Sequence, residues 1–239
     1  MPLMNEHTVK AFDSDIGELR GLISQMGGLA EDAIARAMLA LQRGDRTLAA
    51  QVKADDREID RIESEVEKLA IRIIALRAPL ANDLREVIAA LKIASVIERI
   101  GDYAKNIAKR VPLVETGDRI EPISVLPAMG RMASEMVHDV LDAFAARDPE
   151  KAVRVCESDT ALDDFYDSIF RTLVTFMVEN PRTISQVAHL LFVAKNLERI
   201  GDHATNIAET IHYAVNGSAI PTSRPKGDSS SYAVVRPRE

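Results

Sequence analysis

The chain has 239 residues and a formal net charge of −7, with 46% apolar residues, 4% aromatic residues and no Trp. That length suits one large domain or two of about 100 residues, and an Ala-, Leu-, Ile- and Val-rich composition suits helix-on-helix packing better than a β-sandwich. The acidic balance excludes non-specific nucleic-acid binding, which needs a basic face, and the single cysteine, Cys156, excludes an intramolecular disulfide or a cysteine-rich zinc site, as fits a reducing cytosol.

Met1 to Glu6 has no basic start followed by an apolar run, so no signal peptide is expected there. No run of 18 consecutive apolar residues predicts a membrane span. Hydrophobic periodicity predicts a first helix over about 15–43, stopped by Gly44. A second covers about 47–76, with Ile59, Ile62, Val66, Leu69 and Ile73 forming a seam spaced three and four apart. Pro79 breaks the pattern, and a third helix runs over about 80–110 and ends before Pro112. The pattern then starts again, with helices near 123–146, 149–179 and 182–214, and with Pro149 and Pro181 at helix starts, where proline is tolerated. Short connections make neighbouring helices antiparallel. From Asn216 the sequence is rich in Ser, Pro, Gly and Arg without apolar periodicity and reads as a disordered tail.

The second set of helices repeats the first. Glu98-Arg99-Ile100-Gly101-Asp102 returns 100 residues later as Glu198-Arg199-Ile200-Gly201-Asp202, and Asn106 returns as Asn206. Asp56 and Asp60 align with Asp159 and Asp163, Met26-Gly27 with Met129-Gly130, and Gly44-Asp45 with Arg147-Asp148, now 103 residues apart. The fold class is therefore all-α, a tandem duplication of two three-helix bundles, with domains 1–113 and 114–215 and the tail 216–239.

Glu98, Asp102 and Asn106 lie at i, i+4 and i+8, which stacks their oxygens on one helix face. Leu84, Leu91 and Glu98 are seven apart, as are Ile184, Leu191 and Glu198. Each Glu therefore continues a line of positions expected to be buried, and a buried unpaired carboxylate is costly. The antiparallel second helix brings Asp56 and Asp60 to the same place, and Asp159 and Asp163 to Glu198, Asp202 and Asn206. Such hard, oxygen-rich pockets suit Mg²⁺, Mn²⁺, Ca²⁺ or iron, with Zn²⁺ a further option. Gly101 and Gly201, each costing about 1 kcal/mol against Ala in mid-helix, imply close approach of a neighbouring helix or an ion. The competing reading is an interhelical salt-bridge network. Against it, Arg57, Arg61 and Lys105 become Thr160, Asp164 and Thr205 in the second copy. No histidine recurs between copies, although His203 could add a ligand to the second site.

These doubled motifs resemble the PhoU family over about residues 5–215. The resemblance rests on the repeated Glu-Arg-Ile-Gly-Asp-x-x-x-Asn phrase, the upstream Asp-x-x-x-Asp pairs and the Met-Gly stretches. It implies two similar three-helix bundles whose acidic motifs hold metal ions. It also implies a cytoplasmic, commonly dimeric regulator of phosphate uptake. Such a regulator works with the ATPase subunit of the high-affinity phosphate ABC transporter and with the phosphate-sensing histidine kinase, reaching the membrane only through partners, and represses the phosphate-starvation response. The expectation is a non-enzymatic adaptor. The rivals are a metal-dependent hydrolase, against which no shared His or Lys supplies a general base, and a purely structural helical scaffold.

Overall fold

The computed structural model of the chain describes residues 3–114 and 124–221. Six helices follow in order: α1 (Leu3–Arg43), α2 (Arg46–Arg77), α3 (Asn82–Val114), α4 (Leu126–Ala146), α5 (Pro149–Glu179) and α6 (Ile184–Asn216). A 3-10 turn over Pro181–Thr183 leads into α6, and there is no strand among the described residues. None of these helices is long and apolar enough to cross a membrane. The seam read from periodicity is the buried face of α2: Ile59, Ile62, Val66, Leu69 and Ile73 are all in the core.

The corners between helices repeat their chemistry. After α1, Gly44 takes φ 67 and the Asp45 carboxylate accepts from the Leu48 amide at 2.9 Å, capping α2. After α4, Arg147 takes the same left-handed position with φ 53, and Asp148 accepts from the Glu150 and Lys151 amides at 2.9 Å. A left-handed arginine costs more than a glycine. Its side chain offsets part of this by donating to Glu86 at 2.7 Å, while Arg20 holds the same carboxylate from α1.

Three sequence readings are corrected. The first helix starts at Leu3, not near Asp15. Asp15 lies inside it, and its carboxylate accepts from Arg77 Nε at 3.1 Å across to the end of α2. The third helix runs through Pro112 to Val114. A proline this close to a helix end forfeits only one intrahelical bond, and the last turn is tied down by Gln186 Nε2, which donates to the Val114 carbonyl at 3.0 Å. Leu84 and Ile184 are not buried: they are 37% and 48% exposed. The tail from residue 222 and the expected helix start at 123 lie outside the described residues.

Within each half, the second helix packs on the first and third: α2 on α1 and α3, α5 on α4 and α6. The halves join through α3 on α6 and α1 on α4, and side chains from all six helices form one continuous core. The joint is a pseudo-two-fold. Gly27 of α1 receives Leu141 of α4, and Gly130 of α4 receives Met38 of α1, so equivalent residues exchange places. On the same relation, the equivalent residues Tyr103 and His203 meet ring to ring, with centroids 5.2 Å apart and edge-on.

Candidate functional site

In the first half the acids come together between α2 and α3. Asp56 is only 5% exposed. Lys105, one helix away, donates to it at 2.5 Å and to Asp102 at 2.8 Å, so the antiparallel register predicted for these helices holds. These two carboxylates hold the Lys105 ammonium well above its ordinary pKa, Asp102 first and then Asp56. Glu98 is pushed up to about 7, first by burial and then by Asp102, Glu63, Asp60 and Asp56. Asp60 is raised by burial and by Asp56. Asn106 stands apart: its side-chain oxygen accepts from Lys109 at 3.0 Å on its own helix.

Glu63 belongs to this cluster and was missed in the sequence. Its pKa is raised by burial, Asp60 and Glu67, against a hydrogen bond from Ser95. It lies seven residues after Asp56, on the same face of α2. It does not recur, since its counterpart is Tyr166, so matching the two copies passed over it.

The second half solves the same problem differently. Asp159, Asp163 and Glu198 are all buried. Lys195, at the position of Ser95, donates to Glu198 at 2.9 Å and lies 5.1 Å over the Tyr166 ring. The acid–hydroxyl pair Glu63–Ser95 is thus replaced by the aromatic–cation pair Tyr166–Lys195. Thr205, in place of Lys105, turns its hydroxyl to the Asp202 carbonyl at 2.7 Å. The Asn206 side chain makes no hydrogen bond to these acids among the described residues. His203 faces α3 through Tyr103, and burial, Arg99 and Arg199 hold its pKa low.

The glycines sit beside the first acid of each pair. A Cβ on Gly101 would come 2.8 Å from Ile59 Cδ1 and 3.5 Å from Asp56 Oδ1. One on Gly201 would collide with Leu162 Cδ2 and lie 3.4 Å from Asp159 Oδ1. Close helix approach is therefore the reason for both. For a cation, the donor chemistry fits: carboxylates crowded enough to hold a proton on Glu98 near neutrality are hard donors short of positive charge. With the side chains as they stand, Lys105 and Lys195 answer part of that charge. No three His, Cys, Asp or Glu groups among the described residues converge closely enough to hold one ion.

The architecture is that of a duplicated helical-bundle protein with an acidic site between the second and third helices of each unit. The family model described as the PhoU domain matches residues 23–111 and again 126–211. A Zymomonas mobilis protein described as a phosphate-specific transport system accessory protein PhoU homolog is 57% identical, covering 90% of this chain and 91% of its own. A Caulobacter vibrioides protein of the same description is 46% identical over 94% and 98% of the two chains. The crystal structure of PhoU from Pseudomonas aeruginosa superposes with a TM-score of 0.84 at 38% identity, covering 87% of this chain and all of that one. That of the phosphate transport system regulatory protein PhoU from Streptococcus pneumoniae gives 0.82 at 28% identity over 88% of this chain and all of that one. The chain belongs to the PhoU family.

Proposed function

We propose that this chain is a non-enzymatic, cytoplasmic accessory protein of phosphate uptake. It represses the phosphate-starvation response by coupling the ATPase subunit of the phosphate ABC transporter to the sensor histidine kinase, and it works as a homodimer. The observation that carries this reading is the 57% identity, over nine-tenths of both chains, to a protein described as a phosphate transport accessory protein. A chain without a membrane-crossing helix among its described residues acts on a transporter by contact. Deleting the gene is expected to switch on phosphate-starvation genes in phosphate-rich medium, and pull-down from membranes is expected to recover the ATPase subunit or the kinase. Normal repression in the deletion strain together with no such partner would refute the reading.

The same proposal assigns hard cations to the two acidic sites, through Asp56, Asp60, Glu98, Asp102 and Asn106 and through Asp159, Asp163, Glu198, Asp202 and Asn206, with Glu63 joining the first. A bound cation would neutralise the crowded carboxylates there. The support is the raised pKa of Glu98 among four other acids. Elemental analysis after exposure to Mn²⁺, iron and Mg²⁺, followed by desalting, reads tight ions, and titration calorimetry reads weak ones. Absence of binding by both methods would remove the metal role while leaving the regulatory one standing.

A further inference from the structure

The pseudo-two-fold relates two grooves along the α3–α6 joint, and among the described residues only one of them is filled. Where the end of α3 meets the start of α6, Arg110 lies 4.5 Å over the Phe192 ring and its Nη1 is 3.2 Å from His189 Nδ1. At the equivalent place, where the start of α3 meets the end of α6, Phe192 is replaced by Lys92, His189 by Ala89 and Arg110 by Thr210. With no ring at these positions, a groove of about 630 Å³ is lined by Leu84, Arg85, Ile88, Lys92, Glu209 and Tyr213, and also by Ala219 and Ile220 of the chain's own segment after α6. Its apolar wall on α3 is Leu84 and Ile88, one turn apart and 37% and 38% exposed, and Leu80, 79% exposed, stands in the turn before the helix.

This shape, an apolar row on one helix facing a second helix across an open trough, takes an amphipathic helix laid lengthwise. The charges choose its sign. Neither Arg85 nor Lys92 is paired with an acid among the described residues. Arg85 hydrogen-bonds only the Asn82 side chain and lies against Gly217, 3.4 Å from its Cβ direction. Against these two cations stands one acid, Glu209. The chain's own tail is a poor match, because it carries Arg224, Lys226, Arg236 and Arg238 against Asp228 and Glu239.

We propose that this groove seats an acidic amphipathic helix of a partner protein. Its apolar face rests on Leu84, Ile88 and Tyr213, and two carboxylates about two helical turns apart meet Arg85 and Lys92. The partner is the transporter's ATPase subunit or the sensor kinase, so this inference rests on the regulatory reading above.

The test uses the full chain with two probes, the purified ATPase subunit of the phosphate transporter and the full-length sensor kinase in detergent. Two variants attack the groove differently. Ile88→Asp with Lys92→Glu spoils its apolarity and reverses its charge. Lys92→Phe with Thr210→Arg rebuilds the filling that the counterpart groove already carries. Both are expected to weaken binding of at least one probe by about tenfold or more, which corresponds to about 1.4 kcal/mol, with the melting temperature retained. Phe192→Ala, on the filled side, is expected to leave binding unchanged. Binding that persists undiminished in both folded variants would overturn the groove and spare the regulatory reading. Failure of the unmodified chain to bind either probe would overturn both. Loss of self-association in the variants, or tighter probe binding after truncation at Pro221, would assign the groove to a second copy or to the tail and so refute the proposal.

Discussion

Gly201 and Gly28 are both helical glycines, and only their neighbours tell them apart. A methyl on Gly201 meets Leu162 of α5, Asp159 at 3.4 Å and Met136 of α4 at 3.5 Å. A methyl on Gly28 meets nothing within 4 Å. Gly28→Ala is therefore expected to stabilise by about 1 kcal/mol through helix propensity alone. Gly201→Ala is expected to destabilise by about 1 kcal/mol, since overpacking costs more than propensity returns. Urea denaturation of the two variants checks the opposite signs. Glu98 gives a second residue-scale test. Its carboxyl holds a proton up to about 7 in the folded chain against an ordinary 4.5. The folded state thus binds more protons between those values. This contribution to stability is complete below the lower value and is lost as pH rises through the upper one. Glu98→Gln removes the dependence. In chelator-containing buffer, the variant is expected to melt above the unmodified chain at about pH 8 and to lose most of that advantage at about pH 5.

Lys105 is the clearest link between elements, because one ammonium joins α2 to α3 by holding a buried and a half-exposed carboxylate. Lys105→Met strands Asp56 in the interior. Removing one partner of a buried pair costs about 3–5 kcal/mol. Solvent access to Lys105 and Asp102 reduces this to about 2 kcal/mol. A fall in the urea midpoint of that order is expected, and added Mn²⁺ should recover more stability in the variant than in the unmodified chain if the carboxylates take a cation. The helices themselves were legible in the sequence, because apolar spacing, Gly44 and the prolines mark a core and its corners through local chemistry. The short connection made the antiparallel pairing of α2 with α3 legible too, and with it the nearness of Asp56 to Asp102, which share Lys105. The buried seam of α2 was legible, but how far the buried face of α3 extends toward its start was not. Leu84 and Leu91 continue the line to Glu98, yet Leu91 packs against the core while Leu84 lines a groove between α3 and α6, a difference set by the placement of α6 and not by α3. Lys195 and Tyr166 escaped notice for a related reason: they compensate each other across helices, and comparing the copies position by position discards any residue that differs.

The molecule as a whole is one core rather than two. α1 packs on α4 and α3 on α6 in one shared core, so either half alone would expose a broad apolar surface to water. Chemical unfolding of the full chain is expected to be a single transition with coincident fluorescence and circular dichroism midpoints. The first half produced alone is expected to lack cooperative melting. Two separated transitions would show independent bundles instead. The meeting of Tyr103 with His203 carries a further consequence. When two identical chains associate about an axis, a residue on that axis can only face its own twin, so it must tolerate itself. Fusing the two units into one polypeptide removes that restriction. A phenol ring can then face an imidazole, an arginine can fill one flank while a lysine stands at the other, and two surfaces related by rotation become free to take up different tasks.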